Sequence, residues 1–480
     1  MSDTRTIPNS ALNGGSTVAE PPLFPLGLTP FEQFMLLDDR ADYPMVFVIA
    51  IRVSGVLLRD EFDAALQIAR DRHPLLTCFV QRCAGAGQCW VPSREHPPQL
   101  DWADDNRPLT CPAQEHIDLT REHGLRIWVR REPTQARVSF QFHHACCDGL
   151  GAVQFVGDLL AVYGQRTVAN GAEAPELEAI RPDRLLARAN FSARDAEEGP
   201  KPFASPWVIA RRLFKLLWRS PVPLAAAGDR RPLSVPDLPF PAIVTRVLER
   251  SVVQQLKAVA ARKAVALNDL YLLEMFQTIR KWNRDRRRAG DHHWLRICMP
   301  TSLRTPQHDQ MSAANVMGCM FLTRRAADCD RPDQLLADIH RQTSAIVNDQ
   351  QGRFLTTGLK YLLKVPGLLP WLLRWNSCFT TVILANVGEV RRQFTAQFPL
   401  RQGRCVAGNV VLESLEGAAH VRPNTRMATS LGTYAGNLYI NLHCDPRSFT
   451  RQQAEELADL FTERLQQLIA IDENVARRTA

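Results

Sequence analysis

The sequence predicts an α/β fold of two domains joined by an irregular crossover. The chain has 480 residues, more than the about 250–300 residues at which a single hydrophobic core stops growing. In both halves, stretches with the two-residue apolar period of strands are followed by stretches with helical spacing. Between the halves, residues 167–241 hold a cluster of prolines, which interrupt regular structure.

The first domain is assigned to residues 25–166. Met45 to Val53 is apolar and rich in β-branched residues, which predicts a strand. Residues 57–72 repeat apolar side chains at helical spacing, and His73 after them is interpreted as a structural residue at the helix end. Val138 to Phe142 alternates apolar and polar residues, which predicts a strand with one buried face.

Two segments outside the predicted domains lack the patterns of regular structure. Residues 1–24 are polar and are expected to form a disordered tail. The crossover at residues 167–241 contains one basic amphipathic segment, Trp207 to Trp218. Such a segment can lie on an anionic membrane surface or cover a seam of the core, and the sequence leaves both interpretations open.

The second domain is assigned to residues 242–480 and begins with a predicted strand from Ile243 to Leu248. A helix capped by Ser251 and a second helix capped by Asn268 are expected to follow, since both residue types are favoured at helix N-termini. The apolar run at residues 294–299 predicts the next strand.

After a predicted strand from Asn315 to Leu322 and a predicted helix from Leu335 to Ile346, the second domain contains three further predicted strands and a closing helix. The strands are Phe379 to Leu384 and the pair Ser430 to Tyr434 and Asn437 to His443, and the helix is Phe449 to Ile471. Before them, Leu359 to Trp375 is apolar and basic but broken by Pro-Gly. It suits a membrane interface, the wall of an apolar channel or ordinary core helices.

The composition is that of a soluble protein, with 45% hydrophobic and 22% charged residues. A formal charge of +8 suits anionic ligands or an acidic membrane surface, and it does not indicate nucleic acid binding. The 12 cysteines lack paired metal-binding spacings, which indicates a reducing compartment. No apolar run is long enough to span a bilayer. The expected location is cytoplasmic, with peripheral membrane contact as an open alternative.

Two histidines and a carboxylate lie between the strand that ends near Phe142 and a predicted helix, in which apolar residues recur at helical spacing from Val153 to Tyr163 until Gly164. A neutral imidazole can take a proton from a hydroxyl or an amine and pass it to a leaving group. The candidates are His143 and His144, with Asp148 as a group that fixes the connection. From spacing alone, two ordinary histidines at a strand end are an equally good interpretation.

Residues 143–149 read His-His-Ala-Cys-Cys-Asp-Gly and resemble the H-H-x-x-x-D-G signature of the CoA-dependent acyltransferase superfamily. That superfamily includes chloramphenicol acetyltransferase, condensation domains of peptide synthetases, alcohol acyltransferases and wax ester synthases. The resemblance implies that His144 is the general base, that Asp148 is a structural support and that Gly149 shapes the turn. It gives His143 a secondary catalytic role.

Weaker resemblances in the second half add further candidates. The segment 300–304 reads Pro-Thr-Ser-Leu-Arg and is similar to a superfamily element whose arginine pairs with the motif aspartate. This similarity implies that Arg304 binds Asp148. The segment Ala385-Asn386-Val387-Gly388 resembles an element of the tunnel wall in the alcohol acyltransferases. Asn386 and Thr433 are therefore candidates for the oxyanion site or the channel.

The resemblance implies two chloramphenicol acetyltransferase-like subdomains with the active-site channel at their interface. It implies transfer of an acyl group from a thioester donor, acyl-CoA or acyl-phosphopantetheine on a carrier protein, to an alcohol or amine, with O-acylation of an apolar substrate favoured. The donor is a cosubstrate, so no permanently bound cofactor and no metal are expected. The alternatives are a carrier-protein-dependent enzyme that forms amides, a cysteine nucleophile at Cys146 or Cys147, and a non-catalytic binding protein.

Overall fold

A computed structural model of the chain describes most of its residues outside the N-terminus and the middle of the crossover. The residues described are 23–85, 87–93, 99–111, 115–191, 207, 211, 214, 216, 218–226, 240–286, 290–349, 353–375 and 377–479. The predicted tail at residues 1–24 lies almost wholly outside this set, and so does most of the amphipathic segment at residues 207–218.

The described residues form eighteen strands and nine α-helices. The strands are β1 (Leu26–Gly27), β2 (Val46–Ser54), β3 (Cys78–Cys83), β4 (Gly87–Pro92), β5 (Gln99–Ala103), β6 (Leu125–Arg131), β7 (Gln135–His143), β8 (Glu176–Leu177), β9 (Ile243–Leu248), β10 (Trp294–Ser302), β11 (Met317–Arg325), β12 (Val382–Glu389), β13 (Ala396–Gln397), β14 (Leu400–Arg401), β15 (Arg404–Ala407), β16 (Val410–Ala418), β17 (Met427–Tyr434) and β18 (Asn437–Cys444). The helices are α1 (Pro30–Asp38), α2 (Arg59–Arg72), α3 (Gly149–Thr167), α4 (Arg250–Arg262), α5 (Leu267–Asp285), α6 (Pro332–Asp349), α7 (Arg353–Leu362), α8 (Leu368–Arg374) and α9 (Arg451–Thr479).

The first large sheet has seven strands in the order β14-β15-β16-β2-β7-β6-β5. Strand β2 lies in its middle, antiparallel to both β16 and β7. All but two of the nine residues of β2 are buried, as expected for a central strand covered on both faces. Helix α3 is buried from Gly151 to Gly164 and packs beside α2. Its apolar side chains form one core together with those of β2, β6 and β7.

The second large sheet has six strands in the order β11-β10-β12-β17-β18-β9. Strand β12 runs parallel to β10 and β17, and the other pairs are antiparallel. Helices α4, α5 and α9 pack together and bury a second core with the apolar residues of this sheet. The two separate cores confirm the predicted α/β class with two packed units.

The boundary predicted between the domains is wrong in one respect. Residues 242–480 were all assigned to the second domain, yet β14 to β16, within residues 400–418, complete the first sheet. Strand β16 pairs with β2 from Val411 opposite Ser54 to Ala418 opposite Val48. Because the partners are more than 350 residues apart, local patterns carry no information about this pairing.

Both helix caps predicted in the second half are also wrong. Helix α4 follows directly after β9, so it begins at Arg250 with Glu249 as its N-cap, and Ser251 lies inside the first turn. Helix α5 begins at Leu267, and Asp269 accepts a hydrogen bond from the backbone N–H of Ala266. The side chain of Asn268 is used elsewhere, because it contacts Met299 and Asn386.

The apolar segment at residues 359–375 forms the end of α7 and all of α8, and both helices pack against α1. Leu359 and Leu369 are buried there, whereas Trp371 and Trp375 are exposed. Among the described residues, no helix combines the length and the apolar character needed to cross a bilayer.

Candidate functional site

A cavity of about 600 Å³ lies between the two large sheets. Strands β2 and β16 and the start of α3 line it from the first sheet, and β10, β12 and β17 line it from the second. Most of its wall is apolar, including Phe47, Ile49, Leu150, Val153 and Leu415. A second cavity of about 660 Å³ shares Leu150, Arg304 and Gln393 with it and is lined mainly by polar side chains and by charged side chains of both signs.

His144 lines the first cavity, in the turn between β7 and α3. Its backbone N–H donates to the carbonyl of Met45 at 2.7 Å, and its own carbonyl accepts from the amide of Asn315 at 2.5 Å. The Phe47 ring lies 4.9 Å from the His144 ring, measured between centroids. The backbone of His144 is therefore held by both halves of the chain. Only 7% of the residue is exposed, so the imidazole is largely shielded from bulk water.

The surroundings of His144 favour its neutral form. Burial lowers the pKa of His144, while its own carbonyl, the charge of Asp148 and the Asn315 amide partly oppose this effect. The result is a pKa below the usual value for histidine. At neutral pH the ring is therefore uncharged, and its one unprotonated nitrogen is able to accept a proton.

Asp148 is the N-cap of α3 and is almost completely buried. Its carboxylate accepts hydrogen bonds from the backbone N–H groups of Gly151 at 2.8 Å and Val316 at 2.9 Å. Arg304 binds the same carboxylate through two nitrogens, at 2.8 and 2.9 Å, so the predicted contact is present. Burial alone would raise the pKa of Asp148, but Arg304 and the two amides hold it below its usual value.

A short segment of the second half, residues 313–316, holds the turn that carries His144. Besides the Asn315 amide, which also donates to the carbonyl of Ala145 at 2.9 Å, the Val316 amide binds Asp148. A Cβ atom at Gly151 would lie 3.1 Å from the backbone nitrogen of Ala314, so glycine permits this close approach.

The structure places His143 outside the cavity, which contradicts its predicted catalytic role. His143 is fully buried at the end of β7, where its Nδ1 accepts from the backbone N–H of Ala145 at 3.1 Å. Its Nε2 therefore carries the proton and lies 3.3 Å from a carboxylate oxygen of Asp39. His143 is the last residue of β7, and its contacts with Ala145 and Asp39 fix the turn, whereas His144 lies in the turn itself and lines the cavity.

Gly149 lines the cavity, but it does not shape the turn as predicted. It is the first residue of α3, and its φ is not in the left-handed region. A Cβ atom at this position would meet no atom within 4 Å. The absence of a side chain at Gly149 therefore enlarges the cavity beside His144.

The two candidates for the oxyanion site differ in position. Asn386 lines the cavity, where its side chain contacts Asn268 at 3.1 Å and accepts from the N–H of Gly388 at 2.9 Å. Thr433 lies outside the lining, and Ser430 of the same strand takes a place in it. Thr301 was missed by sequence reasoning: it lines the cavity, and its buried hydroxyl has no partner among the residues described.

The cysteines of the turn are poorly suited to nucleophilic attack. Cys146 and Cys147 are fully buried, and burial raises the pKa of each thiol well above its usual value. A buried, protonated thiol is a weak nucleophile. In the part of the chain that the structure describes, no three His, Cys, Asp or Glu side chains are grouped so that they could hold a metal ion.

No protein-family profile matches the chain. An uncharacterized protein of Mycobacterium tuberculosis, found in strains CDC 1551 / Oshkosh and H37Rv, is 26% identical over 271 residues. The aligned region covers 54% of this chain and 57% of that protein, so the chain spans little more than half the length of the curated relatives it matches.

Solved structures share the architecture of almost the whole chain. The first condensation domain of the calcium-dependent antibiotic synthetase, in complex with a substrate analogue, superimposes with a TM-score of 0.65 at 14% identity, over 93% of this chain and 96% of that one. This chain therefore has the condensation-domain fold. The fold is shared by the trichothecene 15-O-acetyltransferase TRI3 of Fusarium sporotrichioides, with a TM-score of 0.63 and 13% identity over 92% and 94% of the two chains.

A third structure with the condensation-domain fold is a variant starter condensation domain of rhizomide synthetase in complex with C8-CoA and Leu-SNAC. It has a TM-score of 0.59 and 15% identity, over 93% of this chain and 94% of that one. The two-subdomain fold implied by the superfamily resemblance is thus confirmed.

Proposed function

We propose that this protein transfers an acyl group from a thioester donor to an alcohol or amine, with His144 as the general base. The observation that carries the proposal is the position of His144 in an apolar cavity between two sheets, with its pKa lowered. The nearby carboxylate of Asp148 is occupied by Arg304 and two backbone amides. It is therefore a structural anchor for the turn.

In the proposed reaction, an unprotonated nitrogen of His144 takes the proton of the acceptor hydroxyl or amine. The acceptor oxygen or nitrogen attacks the thioester carbonyl, and the tetrahedral intermediate collapses with cleavage of the carbon–sulfur bond. The protonated ring then returns its proton to the departing thiolate. General-base catalysis of this kind contributes about 10²- to 10⁴-fold in rate. A hydroxyl such as that of Thr301 is a candidate donor to the developing oxyanion.

The two neighbouring cavities, which share three lining residues, support a donor that is apolar at one end and anionic at the other. The first cavity is lined mainly by apolar residues and suits an acyl chain. The second is lined by Arg184 and Arg392, whose guanidinium groups can bind phosphate, together with the carboxylates of Glu178 and Asp309. The variant starter condensation domain in complex with C8-CoA is a precedent for a thioester donor on this fold. We propose acyl-CoA or acyl-phosphopantetheine on a carrier protein as the cosubstrate.

An alcohol is the favoured acceptor, because the apolar cavity suits a large apolar substrate and TRI3 shows that the fold supports an O-acetyltransferase. The second candidate function is carrier-dependent amide formation, which the similarity to condensation domains favours. The third is a binding protein without catalysis, which the same cavity would serve if His144 transferred no proton.

The proposal is tested by thiol release from acyl-CoAs of graded chain length with panels of alcohols and amines. Wild-type protein is compared with His144→Ala and with a control, His292→Ala, in an exposed loop at the other end of β10. Acceptor-dependent release that falls about 100-fold or more in His144→Ala and is unchanged in the control supports the proposal. Acceptor-dependent release that is equal in wild type, His144→Ala and His292→Ala contradicts the role of His144.

Two further outcomes separate the alternatives. When acyl carrier-protein thioesters are added to the donor panel, release only from these donors and only with amine acceptors supports the condensation enzyme. No release from any donor, combined with saturable binding of acyl-CoA that persists in His144→Ala, supports the binding protein. Mass spectrometry of the acylated acceptor distinguishes an ester from an amide directly.

We also propose peripheral contact with an anionic membrane. Five aromatic side chains with exposures of 50–79% support it: Trp207, Phe214, Trp218, Trp371 and Trp375. Exposed aromatic rings beside basic residues are typical of interfacial segments. We expect co-sedimentation with vesicles containing phosphatidylserine, weakened by Trp371→Ala and Trp375→Ala together. Equal sedimentation with neutral vesicles, or no effect of the two substitutions, would contradict the proposal that these aromatic side chains bind an anionic membrane.

A further inference from the structure

His420 contacts the ring of His144, although no motif marks it in the sequence. It is the second residue after β16, in the connection that leads from the first sheet to the second. The two imidazoles meet edge to face, with centroids 5.4 Å apart and an interplanar angle of 87°. His144 thus has one aromatic neighbour on β2, Phe47, and a second aromatic neighbour after β16.

The backbone on both sides of His420 is anchored. The carbonyl of Ala419 accepts a hydrogen bond from Nδ1 of His443 on β18 at 2.9 Å. Two residues after His420, the Arg422 guanidinium donates to the carbonyl of Tyr43 at 2.9 Å and pairs with Asp38 at the end of α1. The connection is therefore tied to both halves of the chain, and the ring of His420 is held against His144.

The charged and titratable groups around the two rings differ. Around His420 they are His144, His143, His443 and Arg422, all of which disfavour a positive charge on it. Around His144 the nearby groups include Asp148, which favours a positive charge. Burial and these neighbours lower the pKa of His420 well below its usual value. Since two charged rings at this distance would repel each other, the pair accepts one proton, and His144 is the better site for it.

We propose that His420 is a positioning residue for His144: its neutral ring fixes the orientation of the general base and excludes water from it. Nδ1 of His420 is buried and has no hydrogen-bond partner among the described residues, so the contact with His144 is one of packing. The inference rests on the proposed role of His144 and adds a second histidine to the site. His420 itself exchanges no proton with the substrate.

The first test measures the titration of His144 directly and needs no substrate. Protein labelled with ¹³C-histidine is titrated by NMR, and the His144 signal is assigned by its loss in His144→Gln. In His420→Ala, water reaches the ring, so the midpoint of the His144 titration is expected to rise by about 0.5–1 pH unit. In His420→Phe, which keeps an aromatic ring but no ring nitrogen, it is expected to stay near the wild-type value.

His420→Gln replaces the alanine variant if that variant does not fold, and a rise of the midpoint is expected there as well. An unchanged titration in the alanine or glutamine variant would overturn the inference. So would a shift in His420→Phe equal to that in His420→Ala, because the nitrogens and not the packing would then matter.

The second test uses any donor and acceptor pair that the thiol-release assay identifies. We expect kcat/KM of His420→Ala to fall about tenfold and the acidic limb of its pH profile to move to higher pH, with His420→Phe close to wild type. If the NMR midpoint moves as expected but no pair of donor and acceptor is turned over, the acyltransferase proposal fails and the positioning of His144 by His420 stands. If His144 is essential for turnover, but neither the NMR midpoint of His144 nor kcat/KM changes in His420→Ala, only the positioning role of His420 fails.

Discussion

Replacement of Arg304 by methionine is expected to destabilise the protein by about 3 kcal/mol at neutral pH. Arg304 supplies two of the four hydrogen bonds that the buried Asp148 carboxylate accepts. Removing one partner of a buried ion pair costs about 3–5 kcal/mol, because the other charge remains buried without compensation. The lower end applies since the Arg304 side chain is 25% exposed.

The pH dependence of this loss follows from the pKa of Asp148. In the wild type that pKa is lowered, so the carboxylate contributes stability above the unfolded-state value of about 3.9, and this stability is lost as the pH falls through the folded-state pKa. Without Arg304, burial dominates and raises the pKa of Asp148. In Arg304→Met, protonation of Asp148 then removes the cost of burying an unpaired charge. The difference in the free energy of unfolding between wild type and this variant should therefore become smaller toward pH 4.

The measurement is urea unfolding at pH 7 and at pH 4 of wild type, Arg304→Met, Asp148→Asn and the double variant. Arg341→Met is the control, because Arg341 pairs with Asp338 on the surface and its side chain is 77% exposed. We expect a change within about 1 kcal/mol for the control. A loss below 1 kcal/mol in Arg304→Met, a deficit independent of pH, or strict additivity in the double variant would refute the account of a buried, coupled pair.

Two predictions concern the cavity. Gly149→Leu places a side chain in open space beside His144. The thermal unfolding temperature should change little, whereas the longest acyl chain accepted in the thiol-release assay should become shorter. An unchanged chain-length profile would contradict the position of Gly149 in the wall of the acyl site. Thr301→Val removes a buried hydroxyl that has no partner in the described structure and keeps the shape of the residue. If that hydroxyl binds the oxyanion, kcat should fall about 10²- to 10³-fold with little change in KM, and a wild-type kcat would exclude this role.

Much of the fold could be predicted from the sequence because its elements have strong local patterns. Strand β2 is a nearly unbroken apolar run, and α2 repeats its apolar residues with the helical period, so both were predicted within two residues of their observed ends. The position of the turn with His144 and Asp148 followed in the same way. Its pairing with Arg304 came from resemblance, and the structure shows the contact.

The parts that could not be predicted depend on contacts between distant residues. The register of β17 with β12 and β18 decides which of its residues line the cavity. The sequence does not show this register, so Thr433 was predicted to line the cavity, whereas the structure places Ser430 there. His420 gave no signal, since a single histidine after a strand has no periodicity or motif. The caps of α4 and α5 were misplaced because the preceding strand and tertiary contacts, and not intrinsic preference, decide where those helices begin.

The insertion of β16 beside β2 has a consequence for the order in which the chain can fold. During synthesis, the middle strand of the first sheet is made early, but its neighbour is completed only when Ala418 has been added. Until then, β2 presents an apolar edge with unpaired backbone groups, and such edges promote aggregation. A fragment ending before residue 400 should therefore be insoluble alone. Co-expression with the remaining residues should recover soluble protein, because the missing strands can pair with β2 from a separate chain.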